Sequence, residues 1–239
     1  MISQNKFLNI SEEYNLIPVF DEIIADTETP VSIYRKLSNF NDYSFLLESA
    51  NSGDKLNKGR YSFIGIEPEK VIKYDSNQVT IENSQGHILN TLKNQDFNSF
   101  IDNYLKKFKT YQIENLPPFS GGLVGYFNYE MIDHWEDLFH NQPQKSLKES
   151  DIPSVILVIS RFLIAYDHLN NTLKIIDNIF IDKDCSQEEK IEKYKNSKKR
   201  IRKMINKIRN STEKPDLSSR EYIHTGELKS NTSKKEFKN

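Results

Sequence analysis

A carboxylate and a hydroxyl stand side by side at Glu48-Ser49, at the end of the apolar run Tyr43-Ser44-Phe45-Leu46-Leu47. A carboxylate receives an ammonium group and a hydroxyl donates to a carboxylate, so the pair suits the two ends of a free amino acid. Lys58 lies one short loop further on and is followed by Gly59-Arg60-Tyr61-Ser62-Phe63-Ile64-Gly65. The competing reading is a surface ion pair of Glu48 with Lys58 or Arg60, an arrangement worth ~0–1 kcal/mol. Residue chemistry alone favours that ion pair. Elsewhere the signals are thinner. Gly121, Gly122 and Gly125 follow Phe119-Ser120, but no Lys-Ser/Thr comes after them and the G-x-G-x-x-G spacing is absent. They read instead as part of a strand whose glycines let another backbone or a ligand approach closely. His134 and His140 have no third ligand at metal spacing and read as surface residues.

Positioning Glu48 and Ser49 requires a strand, and period two supplies one. Tyr43, Phe45 and Leu47 fall on one face and Ser44, Leu46 and Glu48 on the other, a strand able to bury most of itself. Before it, Leu16-Ile17-Pro18-Val19-Phe20 reads as an edge strand because of its proline. Thr29-Pro30 marks a helix start, N-cap then first helical position, with Ile33 and Leu37 on the apolar side. After it, residues 70–81 form a hairpin across Asp75-Ser76-Asn77. Residues 96–108 switch to helical period through Phe97, Phe100, Ile101, Tyr104, Leu105 and Phe108. Residues 128–138 read as a helix carrying Trp135, and residues 142–151 as a polar loop. Residues 154–166 are a long apolar run that pairs with residues 172–181 as a hairpin, its first strand buried on both faces.

Ser186-Gln187-Glu188-Glu189 is a capping box that opens a helix to about Asn210. Its stripe runs through Ile191, Tyr194, Ile201, Ile205 and Ile208, with Lys198 as a break. The helix carries ten Lys/Arg against three Glu, while the whole chain is at −1. A solvated basic face above a narrow apolar stripe is the favoured reading over a nucleic-acid grip, since no aromatic platform or second basic element supports the latter.

The 239 residues are 36% hydrophobic and 28% charged, with 14 Phe and 12 Tyr to fill a core, so global disorder is excluded. No apolar run approaches the ~20 residues that span a bilayer, and the first residues lack a signal-peptide core. The single cysteine, Cys185, fits a reducing compartment, hence a cytoplasmic reading without nucleic-acid or membrane partners. Near the end, Ser233-Lys234-Lys235-Glu236 is a second capping box with Phe237 behind it. It is a helix start without a body, and points to a truncated piece of a longer protein.

Taken in order, Ile17-Pro18-Val19, Thr29-Pro30-Val31-Ser32, Phe45-Leu46-Leu47-Glu48-Ser49-Ala50 and Gly59-Arg60-Tyr61-Ser62-Phe63-Ile64-Gly65 resemble the start of anthranilate synthase component I. Phe119-Ser120-Gly121-Gly122-Leu123-Val124-Gly125-Tyr126 with Tyr129-Glu130 is similar to that family's glycine-rich segment. Ser230-Asn231-Thr232-Ser233 with Phe237 resembles the start of its chorismate-binding region. The resemblance implies an α+β fold, antiparallel β-sheets with flanking helices in an orthogonal β-sandwich. It divides the chain into a tryptophan-regulatory domain, residues 1–210, and a linker with the start of the catalytic domain, residues 211–239.

The family converts chorismate and ammonia to anthranilate and pyruvate in tryptophan biosynthesis, with Mg²⁺ and a glutamine amidotransferase subunit, component II. By the same resemblance, Ser49 contacts feedback tryptophan, Glu48 faces its ammonium group, Leu47 lines the pocket, and Lys58 is a further contact. The family's catalytic and Mg²⁺-binding residues lie in the C-terminal half, so the resemblance assigns none of them here and implies a chain inactive by itself. Aminodeoxychorismate synthase component I, of the folate pathway, shares this architecture; the Leu-Leu-Glu-Ser and Thr-Pro-Val-Ser wording favours the anthranilate enzyme. A stand-alone amino-acid-binding module without catalysis is the alternative from another class.

Overall fold

The computed structural model describes residues 2–38, 43–48, 59–135 and 152–210; the side chains of Glu130, Asp133 and His134 are left aside. Helix α1 (Gln4–Ile10) comes first, in a stretch to which the sequence analysis assigned no element; Phe7 is fully buried and Ser3 caps the first turn. Strand β1 (Leu16–Ile24), helix α2 (Pro30–Leu37), β2 (Phe45–Leu47), β3 (Tyr61–Ile66), β4 (Lys70–Asp75), β5 (Gln78–Glu82) and β6 (Ile88–Leu92) follow. Helix α3 (Phe97–Leu105), β7 (Leu123–Phe127), β8 (Val155–Ile159), β9 (Phe162–Asp167), β10 (Thr172–Phe180) and helix α4 (Gln187–Asn210) complete it. The class is α+β, as expected.

Among the described residues two five-stranded sheets form, ordered β1-β10-β9-β3-β2 and β6-β5-β4-β8-β7, and every strand pairing within them is antiparallel. Pro18 does sit on an edge strand, where its missing N–H costs no ladder bond. The hairpin at residues 70–82 turns on two residues and not three: Asp75 pairs with Gln78, and Ser76 and Asn77 both take positive φ, 48° and 57°. That is the turn whose twist matches the flanking strands.

One face of the first sheet carries α1, α2 and α4. Ile17, Val19, Ile64, Phe162, Ile164, Leu173 and Ile175 from the strands meet Phe7, Ile33, Leu37, Ile201 and Ile208 from the helices. Thr29 caps α2 as read, with Ser32 completing the box. The Ser186 box on α4 also forms, Glu189 N–H donating to Ser186 Oγ at 3.2 Å and Ser186 N–H to Glu189 Oε2 at 2.7 Å. The α4 stripe is Tyr194, Ser197, Ile201, Met204, Ile205 and Ile208. It therefore has no gap: buried Ser197 occupies the place where Lys198 looked like a break.

The second sheet is covered by α3, whose buried side is Phe97, Phe100 and Tyr104; Leu105, read as apolar face, is 45% exposed. The apolar run at residues 154–166 does not make one strand. It breaks at Ser160-Arg161 into β8 of the second sheet and β9 of the first. Ser160 N–H turns to the Gly122 carbonyl at 3.1 Å. Arg161 reaches Glu69 at 3.0 Å and Asp177 at 3.5 Å. Both halves are mostly buried, so no change of period marks the corner. β9 is buried along its whole length, and its hairpin with β10 is the one expected.

At residues 128–138 the described part is a short 3-10 segment, Tyr129–His134, capped by Asn128, in place of an α-helix. His140, the loop at residues 142–151 and the capping box at Ser233 lie outside the described residues. So does the expected linker, residues 211–239.

Candidate functional site

Strand β2 lies at the edge of the first sheet and pairs with β3 alone: Phe45 with Gly65, Leu46 with Ile64, Leu47 with Phe63. Leu46 turns towards the helix-covered core, whereas Leu47 is 44% exposed and Glu48 is exposed. The alternation holds, but the expected burial does not, because an edge strand has a partner on one side only. Gly65 makes room for the neighbouring ring: a Cβ there would lie 2.1 Å from a Phe45 ring carbon. Ser49 and Lys58 fall outside the described residues.

The ion pair of Glu48 with Arg60 is not what forms. Arg60 instead grips Asp167 at the end of β9, Nη2 at 2.6 Å and Nε at 3.1 and 3.2 Å from the two carboxylate oxygens. Asp167 is 2% exposed and also accepts from the Leu169 amide at 3.0 Å and from Asn170 Nδ2 at 3.0 Å. Burial pushes the Asp167 carboxyl up, but the Arg60 hydrogen bond and the turn amides outweigh it and hold the group below its ordinary value. Next to it, buried Ser62 shares a hydrogen bond with His168 Nε2 at 2.8 Å. Register carries Glu48 one residue past the Leu47–Phe63 pair, to the level of Ser62 at the same end of the sheet. Among the described residues no cation pairs with Glu48, and the residue is exposed at the end of β2.

The lead-in to β2 is held from two sides. Ser44 Oγ and Tyr34 Oη of α2 lie 2.9 Å apart. Tyr43 meets Lys73 of the second sheet, whose ammonium lies 5.6 Å from the Tyr43 ring centroid and 2.8 Å from Glu82 Oε1. Burial pulls the Lys73 pKa down, yet the hydrogen bonds to Glu82 and Tyr43 leave it above its ordinary value.

The glycine-rich segment behaves as a place of close backbone approach. A Cβ on Gly125 would lie 1.8 Å from the Ile156 carbonyl oxygen of β8, and one on Gly121 would lie 2.7 Å from Asn178 Nδ2. Asn178 donates to the Ser120 carbonyl at 3.0 Å, and Phe119 packs edge-on to Phe63 at 5.3 Å. This segment is thus fastened beside β3. Many of the α4 cations are tied to their own fold. Arg200 pairs with buried Asp177 at 2.6 Å, Lys190 with Glu12 at 2.9 Å, and Lys193 donates to the Phe180 carbonyl at 3.0 Å. Sequence reasoning missed Asp167, Asp177, Lys73 and Glu82. Lys73 and Asp177 are charges inside strands, and Glu82 and Asp167 are the last residues of theirs; a charge continuous with a β-rich apolar run is the signal that could have found them.

Residues 27–239 match the family described as chorismate binding enzyme. The chain belongs to that family. Among its curated relatives, anthranilate synthase component 1 of Aquifex aeolicus is 33% identical over 87% of this chain and 40% of its own length. The protein of that name from Neisseria meningitidis serogroup B is 33% identical over 88% of this chain and 41% of its own. That of Acinetobacter calcoaceticus is 36% identical over 68% of this chain and 32% of its own. This member of the chorismate-binding family therefore spans about 40% of the length of the first two relatives. A solved anthranilate synthase component I from Streptococcus pneumoniae TIGR4 overlaps with a TM-score of 0.43 at 20% identity, over 79% of this chain and 37% of that one.

Proposed function

We propose that the described residues are the feedback part of an anthranilate synthase component I, and that L-tryptophan binds at the end of β2 that carries Glu48. The observation that carries this reading is the separation of two charges adjacent in the fold. Asp167 takes Arg60, and Glu48 is left exposed, without a cation among the described residues. A carboxylate left in that state suits an ammonium group, and Leu47, the residue before it, offers exposed apolar surface at the same strand end. Ser49 follows as the hydroxyl for the ligand, and Lys58 as a further contact.

In the intact enzyme the reaction would be conversion of chorismate and ammonia to anthranilate and pyruvate, in the cytoplasm, with ammonia from a glutamine amidotransferase subunit. Bound tryptophan favours a state that takes chorismate less well, through a coupling free energy of ~1–3 kcal/mol. Residues 211–239 are the linker and first part of the catalytic region in this reading. Among the described residues no three His, Cys, Asp or Glu side chains gather to hold a metal ion. No helix among them is long and apolar enough to cross a membrane.

Two assays test the reading. The 239-residue chain should not turn over chorismate with ammonia and Mg²⁺, and turnover would sink the assignment. L-tryptophan titrated calorimetrically should release or absorb heat in a way that Ser49→Ala removes; a response unchanged by that substitution would move the site elsewhere.

A further inference from the structure

Strand β2 has three residues, one neighbouring strand and no buried side chain, so its own pairing holds it weakly. What lies just before it is held far better. Ser44 and Tyr43 are consecutive, and extended backbone sends them opposite ways. Ser44 goes to Tyr34, on the helix that covers the first sheet, and Tyr43 goes to Lys73, on the middle strand of the second.

Lys73 is an unusual residue for that position. Its neighbours Ile72 and Tyr74 fill the core under α3, so Lys73 points out of the opposite face, with its side chain 26% exposed. There it meets Glu82, whose side chain is 9% exposed, and the Tyr43 ring; Asp75 and the Tyr126 phenol flank the group. A half-buried ion pair adds little stability over an apolar pair of the same shape. What the pair does supply is a fixed ammonium for an aromatic ring, an attraction worth ~0.5–2 kcal/mol and sensitive to position.

We infer that Lys73, held by Glu82, is a positioning residue of the amino-acid site: it clamps Tyr43 to the second sheet and so fixes where β2 ends and Glu48 stands. The inference rests on Glu48 being the ammonium-binding group. It makes the site a feature of both sheets, because a shift of the second against the first pulls on the strand that carries Glu48.

Amide hydrogen exchange in a peptide covering Phe45–Leu47, with L-tryptophan affinity measured in parallel on the full chain, tests it. Tyr43→Leu leaves the Lys73–Glu82 pair intact and should raise exchange in β2 about tenfold, the equivalent of one lost contact of ~1.4 kcal/mol, while β9 and β10 stay protected. Lys73→Met should do the same, and Lys73→Arg should restore protection by offering another cation to the ring and to Glu82. Tryptophan affinity should fall with β2 protection and recover in Lys73→Arg. Glu48→Gln should abolish tryptophan binding without changing exchange in β2. A wild-type chain indifferent to L-tryptophan would overturn the role given to Glu48 and with it the ligand half of the inference. Exchange in β2 unchanged in both Tyr43→Leu and Lys73→Met would overturn the clamp itself.

Discussion

Strands β9 and β2 belong to one sheet, with only β3 between them, and they are built in opposite ways. All six residues of β9 are buried, with Phe162, Leu163 and Ile164 fully so, and strands flank it on both sides. None of the three residues of β2 is buried, and only β3 flanks it. The centre is set by apolar packing that a ligand could not disturb; the edge is set by a few contacts that a ligand could join. The difference suggests where an effector can act.

That contrast can be broken by substitution. The largest effect is expected at the centre: Ile164→Ala removes a side chain with 0% exposure and should lower unfolding free energy by about 2–5 kcal/mol in a denaturant titration. Asp167→Asn comes next, with a loss of about 1–2 kcal/mol near neutral pH as its charged hydrogen bonds weaken. Its pH dependence has a definite sign. The folded pKa is depressed, so the Arg60–Asp167 tie contributes fully above the ordinary carboxylate range and is lost as pH falls below about 4. Wild type should therefore lose stability faster than Asp167→Asn on acidification, and equal slopes would remove the tie from the account. At the edge, Gly65→Ala should cost only about 1 kcal/mol, since the Phe45 ring can swing away, but the displaced ring should weaken tryptophan binding. Smallest of all, Leu47→Ala should change stability by less than about 0.5 kcal/mol, and a core-sized loss there would erase the contrast between centre and edge.

Periodicity and caps made much of this fold legible. Thr29 and Ser186 each state a helix start through a local hydrogen bond, and Pro18 declares an edge through a missing donor; such signals need no tertiary knowledge. The corner at Ser160-Arg161 was hidden because both flanking strands are buried, and a buried strand has no polar face to alternate. Tertiary partners were hidden for another reason. Arg60 and Asp167 are 107 residues apart in the chain, and nothing local says that one takes the other before Glu48 can. Lys73 was only one residue of a hairpin strand in the sequence, and its Tyr43 partner comes from the lead-in to a strand of the other sheet. The Glu48-Ser49 pair could be read as a site from residue types, yet only the loss of Arg60 to Asp167 removes one of its rivals.

The most direct test of the central claim is a titration of L-tryptophan into the isotopically labelled 239-residue chain, followed residue by residue by NMR. The account predicts shifts concentrated at Leu47 and Glu48 and at the adjoining Arg60–Ser62 end of β3, absent in Glu48→Gln and in Ser49→Ala. Shifts confined to α4 or the second sheet, or none at millimolar ligand, would contradict it.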